Sequence, residues 1–110
     1  MQARVVADVF SGRENPSWQL DSEQTAEFNR RLAGLAAADT VPGPPALGLG
    51  YRGFVVELGD DTVRVADGLV RTRDRVRQDR ERELERWLLA TAPPELEPAV
   101  SRLIAAALSH

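Results

Sequence analysis

The sequence contains no cysteine and no lysine, and its one histidine, His110, is the last residue. Without cysteine there can be no disulfide, no thiol nucleophile and no thiolate metal site. Without an internal histidine, imidazole-based triads and zinc sites of the HExxH type are excluded unless a partner supplies the ring. Catalysis would have to depend on carboxylates, hydroxyls, arginine or the single tyrosine. We therefore expect no metal site and no cofactor.

Long apolar runs and an excess of positive charge are also missing. No segment reaches the roughly 18 consecutive apolar residues of a membrane span, and no basic segment precedes an apolar stretch as in a secretory signal. The net charge of −3 disfavours a nucleic-acid binder. All 14 basic residues are arginine, which together with frequent Ala, Gly and Pro is typical of a GC-rich bacterial genome. These features predict a bacterial, cytoplasmic protein without membrane contact.

The hydrophobic pattern predicts a single α+β domain over residues 1–110. Valine-rich segments predict strands at 4–10, 51–58, 62–66 and 69–72. Helical spacing predicts helices from about 22 to 37, from 76 or 79 to 92, and from 98 onward, and the intervening segment 39–50 is a connector rich in Pro and Gly. The expected order is β-α-β-β-(β)-α-α, with an antiparallel sheet of three to four strands and about three helices on one side.

The loop of residues 11–18 carries the first candidate site. It combines a glycine, an Asn-Pro step, an arginine and a large aromatic, which a rigid loop can present to a partner. Its candidate binding residues are Ser11, Arg13, Asn15 and Trp18. Arg13 would supply a forked donor for a carboxylate or phosphate. Alternatively the loop is architectural, with Asn15 capping its own backbone and Trp18 folded onto the core.

Tyr51, Arg52 and Gly53 open the main predicted strand and extend the candidate site. If that strand pairs with the first one, Tyr51 and Arg52 lie near the loop and complete a pocket. The alternative is an edge tyrosine shielding a glycine, with Arg52 reaching into water. Asp8, in the middle of the first strand, is expected to be exposed or to pair with an arginine across the sheet, rather than to act as a general base.

Four alternating arginines could form a phosphate-binding strip if their segment is extended. They are Arg71, Arg73, Arg75 and Arg77. Acidic residues follow in the same region at helical spacing, such as Asp79 with Arg82 and Glu83 with Arg86. A solvated, self-neutralising face is therefore favoured, and the absence of interleaved aromatics weakens nucleic-acid binding further.

Three segments together resemble a group of small, mostly bacterial proteins without a known activity. The group opens with a Phe-Ser-Gly-Arg-x-Asn-Pro-x-Trp pattern, which residues 10–18 match with Glu14 at the variable position. Residues 51–54 and 84–88 share the resemblance. It would span most of the chain, and it implies no catalytic residue.

The sequence favours a non-catalytic binding or accessory protein that holds a protein, a peptide or a small anionic ligand. A homodimer is also expected, because a sheet covered on one side leaves its other face to be shielded. The alternative is a small isomerase, cyclase or lyase using Asp8, Glu14, Tyr51 or arginine, which requires these groups to converge in one pocket. Nucleic-acid binding through the arginine strip is a third, less favoured class.

Overall fold

Six antiparallel strands form one sheet in the described part of the chain. A computed structural model describes residues 2–9, 14–38, 51–73, 75–96 and 98–108. The strands are β1 (Arg4–Ala7), β2 (Ser17–Gln19), β3 (Phe54–Leu58), β4 (Asp61–Ala66), β5 (Leu69–Arg71) and β6 (Val76–Gln78). Their order across the sheet is β2-β1-β3-β4-β5-β6. The helices are α1 (Ser22–Ala33), α2 (Glu83–Ala90) and α3 (Pro98–Leu108).

Within the described residues the fold is α+β with three α-helices, as expected, but the expected sheet of three to four strands is wrong, because these residues form six. The two strands that were missed, β2 and β6, have three residues each. β2 begins at the end of the predicted loop, and β6 lies where the arginine strip and the next helix were expected. So short a strand shows too little alternation to be recognised, since pairing with a neighbour stabilises it only once the sheet exists.

Both ends of α1 are fixed by side chains. At its start, the Gln24 N–H donates to Asp21 Oδ1 at 2.7 Å and the Asp21 N–H donates to Gln24 Oε1 at 3.0 Å, which together form a capping box. At its end, Arg77 Nη1 donates to the carbonyl oxygens of Leu32 and Leu35 at 3.3 and 3.1 Å. Because β6 carries Arg77, this contact joins α1 to the far edge of the sheet.

The helices cover one face of the sheet and form the core with it. The strand residues buried on this face are Val5, Ala7, Trp18, Phe54, Val56, Val63, Val65 and Val70. Phe28 of α1, Leu84 and Leu88 of α2, and Ile104 of α3 belong to the same buried cluster. The helices have 12, 8 and 11 residues, and among the described residues none is long and apolar enough to cross a membrane.

The opposite face of the sheet carries the residues that alternate with the core positions. They include Arg4, Val6, Val55, Glu57, Thr62, Arg64, Leu69 and Arg71, and all of these are half-buried or exposed. Asp8, which follows β1 between the buried Ala7 and Val9, points to the same side. We call this surface the helix-free face. It is mixed in polarity, as expected for the first strand.

Candidate functional site

Of the four residues predicted to form the loop site, the structure describes Asn15 and Trp18. Ser11 and Arg13 lie outside the described residues. Asn15 Oδ1 accepts a hydrogen bond from the Val9 N–H at 3.1 Å and so bridges the two ends of the β1–β2 connection. Trp18 is buried on the helix side. The described part of the loop thus matches the architectural alternative.

Trp18 joins β2 to α2 through its ring nitrogen. Its indole Nε1 donates to Thr91 Oγ1 at 3.0 Å, and this hydroxyl donates to the Leu88 carbonyl oxygen. Its ring meets that of Phe54 edge-on, with 6.0 Å between the centroids. These contacts satisfy the one polar atom of the indole inside the protein, so Trp18 acts as a core residue.

Tyr51 also lies on the helix side, where it completes a buried polar cluster. Its hydroxyl donates to Glu85 Oε2, and the Arg82 guanidinium binds both oxygens of the Glu85 carboxylate at 2.9 Å. Arg82 Nη1 also donates to the Ala107 carbonyl oxygen at 3.1 Å. The cluster therefore ties the strand end at Tyr51 to α2 and to the end of α3.

Burial and the Glu85 carboxylate change the pKa of Tyr51 and of Arg82 in this cluster. Desolvation and the hydrogen bond to Glu85 raise the pKa of the Tyr51 hydroxyl far above its ordinary value. The same carboxylate raises the pKa of the Arg82 guanidinium. Because Glu85 is fully buried and bonded to both Tyr51 and Arg82, the cluster acts as a structural connection.

Asp79 is a second buried acid beside this cluster. Its two carboxylate oxygens accept the N–H groups of Leu84 and Glu85 at 2.8 and 3.1 Å, at the start of α2. Burial raises the pKa of this carboxyl. The expected solvated face is thus wrong for Asp79 and Glu85. Helical spacing could have revealed Glu85, which lies on the same side of α2 as Leu84 and Leu88.

Arg52 lies on the other side of the sheet, paired with Asp8. Arg52 Nη2 donates to Asp8 Oδ1 at 3.0 Å, and Arg64 Nη2 donates to Asp8 Oδ2 at 3.1 Å. The side chains of Asp8, Arg52 and Arg64 are 18%, 31% and 37% exposed. The pairing of Asp8 with an arginine across the sheet is therefore confirmed, whereas the contribution of Arg64 was not anticipated.

Gly53 allows the backbone segments that carry Asp8, Arg52 and Arg64 to approach each other closely. The Asp8 N–H donates to the Gly53 carbonyl oxygen at 3.0 Å, and the Arg52 N–H donates to the Asp8 carbonyl oxygen at 2.8 Å. Gly53 has a φ of +104°, and a Cβ there would lie 2.5 Å from Ala66 Cβ. Only glycine fits this conformation and spacing. The Asp8 carboxylate can therefore reach Arg64 across β3.

Arg71 extends this positively charged group. In the β4–β5 register Arg71 lies directly opposite Arg64, and both side chains belong to the helix-free face. Arg71 is exposed and makes no ion pair or side-chain hydrogen bond with any other described residue. We call Asp8, Arg52, Arg64 and Arg71 the arginine cluster.

The four alternating arginines do not form one strip. The chain turns between β5 and β6, where the Thr72 N–H donates to the Arg75 carbonyl oxygen at 2.9 Å. Arg77 is directed to the helix side, where it caps α1. The extended strip that nucleic-acid binding requires is therefore absent from the described residues. Of the two arginines that lie in strands, Arg71 belongs to the helix-free face and Arg77 does not.

The groups of the enzyme alternative do not converge. Asp8 lies on the helix-free face, whereas Tyr51 is bonded to Glu85 on the helix side, and Glu14 is exposed in the β1–β2 connection. An open depression of about 430 Å³ is lined by Glu81, Arg82, Glu83 and Arg86. It contains none of these three groups. Among the described residues, no three acidic side chains are grouped so that they could hold a metal ion.

Comparison with known proteins gives no relative from which a function could be transferred. No family model matches the chain, and no curated protein and no solved structure is significantly similar to it. The resemblance to the Phe-Ser-Gly-Arg-x-Asn-Pro-x-Trp group thus stays a prediction. Any function must be argued from the two polar clusters, of which the arginine cluster is the one open to solvent.

Proposed function

We propose that this chain is a non-catalytic binding protein whose helix-free face holds an anionic group of a ligand or a partner protein. Arg64 and Arg71 would supply the donors, and Asp8 with Arg52 would hold Arg64 in place. The observation that carries the proposal is the direct opposition of Arg64 and Arg71 in the register. Like charges at such positions destabilise a sheet, and a bound anion removes that cost.

The charge of this face supports the same conclusion. The described residues whose side chains lie on it include four arginines and two acids. The arginines are Arg4, Arg52, Arg64 and Arg71, and the acids are Asp8 and Glu57. The chain as a whole has a net charge of −3, so the positive excess is local. Arginine forks bind carboxylates and phosphates with directed, charge-assisted hydrogen bonds.

The chemistry of the cluster favours binding over catalysis. An arginine side chain stays protonated at any pH at which proteins are folded, so it orients and neutralises anions but does not transfer protons. The one carboxylate of the cluster, Asp8, already accepts hydrogen bonds from two guanidinium groups. Both oxygens of this carboxylate are therefore engaged by arginine side chains.

The remaining predictions from the sequence are compatible with this proposal. Ser11 and Arg13 are still expected to contribute donors, because their loop follows Asp8 and Val9 along the chain. Asn15, Trp18 and Tyr51 would act by holding the fold. The expected setting is the cytoplasm of a bacterium, and the partner a protein, a peptide or a small anionic molecule.

Isothermal titration calorimetry at low ionic strength tests this proposal with inorganic phosphate and with a tetraglutamate peptide as probes. The wild type is expected to bind at least one of them, and Arg71→Ala to weaken that binding by about tenfold, as for the loss of a charge-assisted hydrogen bond. Arg102→Ala removes the same charge from an exposed position on α3 and should leave the affinity unchanged. No binding of either probe, or equal losses in both variants, would contradict the proposal.

A further inference from the structure

We infer that β2 pairs with β2 of a second copy of this chain, so that two sheets join edge to edge in a homodimer. The inference goes beyond the proposed function and does not depend on it. It concerns the outer edge of β2, which is formed by the backbone groups of Ser17 and Gln19.

The hydrogen bonds between β1 and β2 determine which backbone groups of β2 point outward. The Ala7 N–H donates to the Pro16 carbonyl oxygen at 2.9 Å, just before β2 begins. Beyond the other end of β2, the Leu20 N–H donates to the Ala3 carbonyl oxygen at 2.8 Å. Bonded pairs alternate along an antiparallel ladder, so Trp18, midway between Pro16 and Leu20, is also bonded to β1. The residues on either side of Trp18 therefore direct their backbone groups away from β1.

These two residues, Ser17 and Gln19, form an open edge. Both are exposed, and among the described residues their outward N–H and carbonyl groups have no hydrogen-bond partner. The opposite edge of the sheet is closed by the chain itself, because residues 36–38 bond to β6 through backbone hydrogen bonds of 2.9 and 2.8 Å. β2 contains none of the charged side chains and prolines that commonly protect an edge strand.

The positions of the outward groups are complementary to those of a second β2. In an antiparallel pair centred on Trp18, Ser17 of each copy faces Gln19 of the other. Both pairs are then of the bonded kind, in which the two residues exchange their N–H···O bonds. Because β2 is uncharged, no like charges oppose each other across the contact. Each copy uses the same surface, as a closed two-fold dimer requires.

This pairing leaves the arginine cluster accessible. Arg64 and Arg71 lie on β4 and β5, which are separated from β2 by β1 and β3 in the order of the sheet. Residues directly opposite each other in an antiparallel pair point to the same face. The helix-free faces of the two copies would therefore form one continuous surface. Since β2 has three residues, the contact is small, and we expect a weak dimer whose population depends on concentration.

Sedimentation velocity of the wild type between about 10 μM and about 1 mM, the range expected for a small interface, tests the inference. The apparent mass should rise from one chain toward two. Gln19→Pro removes an outward N–H that makes no bond to β1, so it should keep the fold, as judged by circular dichroism, and weaken dimerisation at least about tenfold. Gln19→Ala removes the same side chain but keeps the N–H, and it should dimerise like the wild type. A wild type that stays monomeric, or equal dimerisation of the two variants, would overturn the inference.

Amide hydrogen exchange of the wild type locates the contact without any variant. The amides of Ser17 and Gln19 should exchange rapidly in dilute solution and become about tenfold more protected at about 1 mM. The Trp18 amide is the internal reference, because its bond to β1 protects it at every concentration. A dimer in which Ser17 and Gln19 still exchange rapidly would lie on another surface and would overturn the pairing of β2.

Discussion

Arg64 and Arg71 lie directly opposite each other on neighbouring strands, yet the Arg64 guanidinium reaches in the other direction, across β3 to Asp8. The carboxylate attracts Arg64 and the positive charge of Arg71 repels it. Arg71 is left without an acidic partner among the described residues. An arrangement that costs stability in the absence of an anion is expected where binding an anion is the function.

Arg71→Gln should therefore raise the stability of the ligand-free protein while lowering its affinity for anions. Removing one of two opposed like charges relieves a repulsion of about 0.2–1 kcal/mol. Urea denaturation at low and high salt measures this change, and the gain should shrink as salt screens the charges. A loss of stability at low salt would contradict the repulsion between Arg64 and Arg71.

Asp8→Ala should destabilise the fold, because it leaves two half-buried guanidinium groups without their shared carboxylate. We expect a loss of about 1–2 kcal/mol in the free energy of unfolding. Glu57→Ala is the matched control, since Glu57 pairs with Arg4 where both side chains are about half exposed, and it should cost well under about 1 kcal/mol. Equal losses in the two variants would mean that Asp8 does not organise the arginines.

Gly53→Ala should be among the most damaging single substitutions in the chain. A methyl group at Gly53 would lie 2.6 Å from the Val65 carbonyl oxygen, at a φ of +104°, so we expect a loss of about 2–4 kcal/mol. Gly34→Ala is the control, because a Cβ there meets its nearest atoms at 3.7 Å and φ is −85°. That variant should be neutral or slightly stabilising. Thermal unfolding of both variants and the wild type measures these changes in stability, and equal changes in the two variants would contradict the role of Gly53.

Tyr51 should keep its proton well above pH 10 for as long as the protein stays folded. Burial and the bond to Glu85 raise the pKa of its hydroxyl above the ordinary value of 10.0. Above pH 10 the unfolded chain therefore releases a proton that the folded chain retains, and stability falls as the pH rises. The chain has one tyrosine, so its ultraviolet titration is unambiguous. Glu85→Gln should shift that titration to lower pH, whereas ionisation of the folded wild type near pH 10 would contradict the buried cluster.

The sequence allowed prediction of those elements whose pattern is local. The starts of α1 and α3 depend on residues within one helical turn, and these helices begin at Ser22 and Pro98, where the sequence predicted them to begin. Two of the three strands with three residues, β2 and β6, could not be predicted in this way, because so few residues show no alternation of their own. β6, for example, pairs with β5 beyond a turn and is bordered on its other side by the bridge between Ala37 and Arg77.

Only part of the candidate site could be predicted, because long-range strand pairing brings its residues together. Arg52 and Asp8 were identified by residue type and strand position, and the pairing of β1 with β3 brings them together. The role of Arg64 was not predicted, because it depends on two long-range features of the fold. These are the close approach at Gly53 and the register of β4 against β5. The position of Tyr51 on the helix side could not be predicted, since its direction depends on a bond to Glu85 on α2.

An arginine-selective NMR titration of the wild type with phenyl phosphate tests the anion-binding face most directly. The account predicts that the Nε–H resonances of Arg64 and Arg71 move together with one dissociation constant, while those of Arg102 on α3 and Arg30 on α1 stay in place. Shifts spread evenly over all arginines, or confined to the helix side, would contradict it.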